Sequence, residues 1–328
     1  MTPVELSRTV LCAVRCAVDE GELSVRVPER AVVTVPGPGG CGDYATNIAL
    51  QLARPAGQSP LRVAEILAPR LVAADGVADV VVTGPGFLNI SLSPAASPTA
   101  TLVAEINALG SGYGHGDALA GQVVALRVPY DVRAEVVADA VVRIVATQGG
   151  RGEVGHGEPV SLRPVPAPED PAPLGPDAAQ WALLHPAAHD RPRITADHLV
   201  QRESNPLFRV RYAHARTRAV GRGAGRLGFG AEPGDVPAAP GACGALVTAL
   251  ADYPRILTAA ATHRAPDRLA RHLVTVADAA LPFLPTVLPR GDEKPSVAHR
   301  ARLALAEATG TVLAGGLSLL GIDAPDHL

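Results

Sequence analysis

The chain has 328 residues, enough for two or three domains, and a hydrophobic fraction of 47% that supports buried cores. A formal net charge of -3 excludes a globally basic protein, so any nucleic-acid contact must rest on a local patch. No apolar run reaches bilayer length, and Met1–Val10 lacks the basic-then-apolar pattern of a signal peptide, so a soluble, cytoplasmic protein with no membrane partner is expected. The basic residues are almost all arginine, and Lys294 is the only lysine. Cys12 and Cys16 stand four apart, but neither Cys41 nor Cys243 offers the second close ligand pair that a zinc site needs. The cysteines are therefore expected to be buried free thiols in a reducing compartment, with no metal.

In chain order, residues 1–20 predict a helix ending near Gly21, and Ala31–Val35 a short strand stopped by the turn-rich Pro36–Gly42. Two helical patterns follow, around Tyr44–Arg54 and Pro60–Ala74. Val77–Thr83 and Phe87–Leu92 then read as strands flanking a Gly-Pro-Gly turn. Residues 1–95 are thus expected to be an α+β domain. Residues 96–176 hold one predicted β-α-β unit, with strands at Val123–Val128 and Pro159–Pro164 and a helix at Val132–Thr147, followed by a Pro-rich linker. Residues 177–328 read as an all-α bundle. Its first long helix is capped by Asn205, opens on Pro206 and runs to about Val220. Gly221–Gly241 reads as a flexible connector, and helices follow around Ala245–His263, Asp267–Leu284 and Ser296–Leu320.

The helix from Pro206 carries the chemistry. Arg202, Arg209, Arg211, Arg216, Arg218, Arg222 and Arg226 cluster in one stretch, and Arg209, Tyr212 and Arg216 are spaced three and four apart, on one helical face. A tyrosine flanked by arginines suits an unpaired base, which stacks on the ring while guanidinium groups hold phosphates or base edges. The same spacing also describes a solvated basic face with one amphipathic tyrosine.

Longer motifs separate these alternatives. Residues 205–216 read NPLFRVRYAHAR, residues 266–273 PDRLARHL and residues 317–325 LSLLGIDAP. In this order they resemble the anticodon-binding domain of arginyl-tRNA synthetases, with His272 where that family usually has tyrosine. Residues 42–47 (GDYATN) and 84–90 (GPGFLNI) resemble the N-terminal domain of the same family. The resemblance implies tRNA, most simply an arginine tRNA, as the partner. It implies anticodon contacts at Arg209, Tyr212, His214, Arg216 and Leu328, the last where the family often ends on methionine. It also implies D-loop contacts at Phe87 and Asn89. The family's aromatic segment is represented only by Ala280–Leu284.

The catalytic half of such an enzyme is not legible. A class I core needs an H-x-G-H turn against the ATP phosphates, and the turn after the first core strand reads Pro129-Tyr130-Asp131-Val132-Arg133-Ala134-Glu135. His115-Gly116-Asp117, the nearest His-Gly pair, reads as loop before that strand. Pro176-Asp177-Ala178 resembles a segment from the end of the family's core, so the middle segment is expected to be a degenerate Rossmann remnant with no cofactor and no catalytic residues. Three readings follow: a non-catalytic tRNA-binding paralogue, a protein-interaction module that has lost RNA binding, and a residual or split ligase that needs ATP and a partner chain.

Overall fold

The computed structural model describes residues 3–34, 36–37, 41–74, 76–92, 98–234, 236 and 242–328. The chain divides into two compact units, residues 1–95 and 96–328.

In the first unit, helix α1 (Pro3–Asp19) buries Leu6, Val10, Ala13, Val14 and Ala17, the three-and-four spacing of one helical face. Strands β1 (Val33–Thr34) and β2 (Tyr44–Thr46) precede helices α2 (Ile48–Ala56) and α3 (Pro60–Val72), and β3 (Val77–Thr83) and β4 (Phe87–Leu92) close the unit. The sheet has the order β1-β2-β4-β3, antiparallel throughout. Tyr44–Thr46 was expected to begin a helix. It is instead a strand registered on β4, Tyr44 opposite Ile90, because its aromatic and β-branched residues fit a pleated, half-buried surface. The helix starts only after Asn47. Ser59 caps α3 by accepting the Arg62 N–H at 3.2 Å. The Gly-Pro-Gly turn lies against that cap: Gly86 has φ 129°, and a Cβ there would meet the Pro60 carbonyl oxygen at 2.8 Å. Leu88 and Ile90 point from β4 into a core with Leu6, Val10, Ile48, Val63 and Leu67. Of the expected strand at Ala31–Val35, Val35 lies outside the described residues.

The second unit opens with helix α4 (Pro98–Leu109), which has no counterpart among the expected elements, then β5 (Val123–Val128), α5 (Val132–Ala146) and β6 (Arg151–His156). Strands β5 and β6 are parallel, Val123 opposite Arg151 and Val128 opposite His156. The second strand therefore precedes the expected Pro159–Pro164 stretch, where two prolines cannot donate to a ladder. Ser161 and Leu162 instead donate their N–H groups to Arg127 O, at 2.9 and 3.1 Å. Helices α6 (Pro176–Leu184), α7 (Pro206–Arg226), α8 (Ala242–His263), α9 (Pro266–Phe283) and α10 (Val297–Leu319) complete the unit.

Helix α7 continues past Val220 through the glycines expected to start the connector. It ends where Gly228 takes φ 74° and the Phe229 N–H returns to Ala224 O at 3.2 Å. Beyond it Glu232 pairs with Arg300 of α10 at 2.9 Å, while residues 235 and 237–241 of the expected connector lie outside the described residues. Residues 96–176 and the later helices share one hydrophobic cluster, in which Ile106, Leu126, Val141 and Trp181 meet Leu250, Leu273 and Leu313. Tyr113 seals the junction by donating its hydroxyl to Leu250 O at 3.0 Å and stacking on Tyr253. The cysteine expectation is corrected for three of the four residues: Cys12, Cys16 and Cys41 are exposed, and only Cys243 is buried.

Candidate nucleic-acid interface

Helix α7 is anchored at its first residue. The buried Asn205 side chain accepts the N–H groups of Leu207 and Phe208, and its amide donates to His198 O and Val200 O at 2.9 and 3.0 Å. One asparagine thereby fixes both the helix start and the preceding segment. One turn on, Phe208 and Tyr212 stack with centroids 5.4 Å apart and planes within 15°, and the Arg216 guanidinium lies 6.0 Å from the Tyr212 centroid. These three side chains and Arg209 line an open groove of about 810 Å³, bounded by residues 201–204, Leu281 and Pro285.

Three of the predicted site residues, Arg209, Tyr212 and Arg216, are thus brought together. Arg209 is held by Asp278 of α9 at 2.7 Å. Leu328 is 52% exposed and lines a neighbouring cavity of about 230 Å³, which shares Phe208 with the groove and also contains Arg211. His214 was expected at the interface, and the structure places it outside the Tyr212 groove. It is 5% exposed and donates Nδ1–H to Pro325 O at 3.0 Å, so it ties down the segment after α10. Burial pushes its pKa down, against the opposing effect of that hydrogen bond.

The basic cluster is partly neutralised from within. Arg211 pairs with Asp177 at 3.3 Å, and Arg218 with Asp326 at 3.0 Å. Asp177 also accepts the Asp323 N–H, so the segment opening α6 joins α7 to the end of the bundle. Among the described residues, no carboxylate stands within ion-pair distance of Arg202, Arg216 or Arg226. Phe208 was missed as a site residue, although its spacing four before Tyr212 signals the stack.

In the first unit, Phe87 is 41% exposed at the start of β4. Asn89, expected as a base-contacting residue, is 2% exposed with its amide donated to Thr83 Oγ1 at 2.6 Å and Val81 O at 3.3 Å. It holds the β3–β4 hairpin.

The turn after β5 is used structurally. The Asp131 side chain caps α5 by accepting the Ala134 N–H at 3.0 Å, which occupies a donor that could otherwise meet an anion. Arg133 is fully buried and spends its guanidinium on backbone carbonyls alone: Val165, Leu183, Pro186, Ala187 and Asp190. Tyr130 is exposed and stacks on His156 at 4.3 Å. Among the described residues, no group of three or more His, Cys, Asp or Glu side chains could hold a metal, and no helix is long and apolar enough to cross a membrane.

Comparison with known proteins agrees with this arrangement. Residues 210–328 match the DALR anticodon binding domain, and residues 9–92 match the arginyl tRNA synthetase N terminal domain. The helical bundle with its Arg-Tyr groove is therefore an anticodon-binding type of domain, carried behind a synthetase N-terminal type of domain. The chain is thus similar to arginyl-tRNA synthetases in both matched regions. It is 50% identical over 127 residues to an arginine–tRNA ligase of Renibacterium salmoninarum, covering 38% of this chain and 23% of that one, so the match spans under a quarter of the curated relative. Among solved structures, arginyl-tRNA synthetase from Plasmodium falciparum aligns at 9% identity and TM-score 0.50 over 99% of each chain, a likeness of fold alone. The Thermus thermophilus enzyme aligns at 15% identity and TM-score 0.49 over 100% of each.

Proposed function

We propose that this chain is a non-catalytic member of the arginyl-tRNA synthetase family that binds tRNA. Tyr212 and Arg216 take an unpaired anticodon-loop base, and Phe87 contacts the D-loop. Arg209 borders the anticodon groove and Leu328 the adjoining cavity. The observation that carries the reading is the Phe208–Tyr212 stack with Arg216 beside it, facing an open groove. Such a surface suits a base, whose π-face stacks while the guanidinium reaches its edge or a phosphate. We read residues 96–176 as the remnant of a class I nucleotide-binding fold, residues 177–328 as the anticodon-binding domain, and the cytoplasm as the place of action. The non-catalytic assignment is supported by the capping role of Asp131 and the structural role of Arg133 at the turn where ATP phosphates would need donors.

The test is binding of an in vitro transcribed arginine tRNA to the full chain. Replacing both Tyr212 and Arg216 by Ala is expected to weaken binding about tenfold or more, the scale of one lost base stack. Unchanged affinity in that variant, or equal affinity of the wild type for random RNA, would overturn the reading. Neutralisation of Arg209, Arg211 and Arg218 by aspartates favours a second reading, a protein-interaction module, in which the same variant leaves partner binding intact.

A further inference from the structure

Helix α7 carries a second arginine stripe, away from the Tyr212 groove. Arg218 and Arg222 stand one turn apart on it, and both face the segment after α10. Arg218 Nε donates to the Asp326 carboxylate at 3.0 Å. Arg222 donates to the Asp326 carbonyl oxygen and to His327 Nδ1, each at 3.3 Å. The two arginines wall a groove of about 1100 Å³ with Asn107 of α4, Thr217, and Thr311 of α10. Arg218 and Asp326 are 56% and 52% exposed in their side chains, so their pair is solvated and easily exchanged.

A carboxylate and a carbonyl oxygen presented to two guanidinium groups offer the acceptors that a phosphodiester would offer. We propose that this groove is a second RNA-backbone site, which takes a phosphate where Asp326 now sits, and that Asp326–His327 competes with RNA for it. The inference rests on the tRNA-binding reading above. Glu307 lines the α10 side of the groove, so its charge confines an anion to the α7 side, next to Arg218 and Arg222.

The experiment measures binding of the full chain to a transcribed arginine tRNA across a salt series. Asp326→Ala is expected to tighten binding about threefold at low salt, as expected for removal of an exposed competing pair. Replacing Arg218 and Arg222 together by Ala is expected to flatten the slope of log affinity against log salt by about 1, the loss of one or two phosphate contacts. Thermal melts of each variant verify the fold, and Asp326→Ala gives an independent readout should the double variant melt early. If Tyr212→Ala lowers affinity while neither set of changes moves affinity or slope, the second site is overturned and the first reading stands. If the wild type fails to prefer tRNA over random RNA, both fall. If the double variant keeps its salt slope but loses binding to polyglutamate, the groove serves an acidic protein and the inference is overturned.

Discussion

His185, His214 and His272 have each exchanged water for a packed position. His185 stacks on Trp181 at 5.0 Å, and its pKa is pushed from 6.5 down to about 4 by burial first, then by Arg271, His198 and Arg209. Burial lowers His214 and His272 as well, although each donates a ring N–H to a carbonyl, of Pro325 and Ala249 respectively. The fold thus favours neutral imidazoles, while the unfolded chain takes up protons near the ordinary value. Their contribution to stability is complete above about pH 6.5 and is lost as pH falls from there toward the lowered folded values. Melting temperature is expected to hold between pH 8 and 7 and to drop between pH 6 and 5. His185→Phe keeps the stacked ring and should make that drop shallower; an unchanged slope would remove His185 from the account. The burial of His214 was open to reasoning from the helix itself, since a residue two after Tyr212 lies on nearly the opposite face. Asn89 was harder, because only the pairing of β4 on both edges encloses an amide that alternation alone would leave outside.

Among the elements, α7 holds the candidate site, and its start depends on one side chain. Asn205→Ala removes the cap for Leu207 and Phe208 and takes the amide donor from the carbonyls of His198 and Val200. The expected cost is about 2 kcal/mol, with the cap and the unmet carbonyls both contributing, read as a lower denaturant midpoint at constant slope. Asn205→Asp keeps the acceptor and should recover part of that loss; equal losses in the two variants would show that the cap is not the source. Helices α3 and α9, with one apolar face, and α10, apolar nearly all round, were legible nearly to their ends, as were β3 and β4. Strand β6 was not, because Arg151, Glu153 and two glycines hide it. Gly152 is there because a Cβ would meet Val142 of α5 at 2.7 Å, a close approach that no local pattern announces. The extension of α7 over Gly221, Gly223 and Gly225 was illegible for the converse reason. Local propensity argued against helix, and packing such as Leu288 against Gly223 outweighed it.

For the whole molecule, the decisive region lies between β6 and α6. From Gly157 to Gly175 the described chain forms no helix or strand beyond a single short turn at Ala172–Leu174. Arg133 draws Val165 and the carbonyls from Leu183 to Asp190 onto α5, so the route from β5 to the bundle is closed by backbone contacts instead of further strands. A parallel sheet that binds nucleotides presents a crevice beyond the carboxyl ends of several strands, and here two strands end at Val128 and His156. At that edge stand Tyr130, His156 and Glu135, with His156 Nε2 3.3 Å from the Glu135 carboxylate. Asp131 and Glu135 add negative charge at that edge, which would repel a triphosphate. The only lysine, Lys294, is in the loop before α10. The purified chain, given arginine, ATP and tRNA, is therefore expected to show no arginine-dependent exchange of pyrophosphate into ATP, while its tRNA binding persists and weakens with salt. Exchange that rises with arginine and tracks the protein through gel filtration would mean that the β5–α5–β6 unit still activates an amino acid, and the non-catalytic assignment would then have to be abandoned.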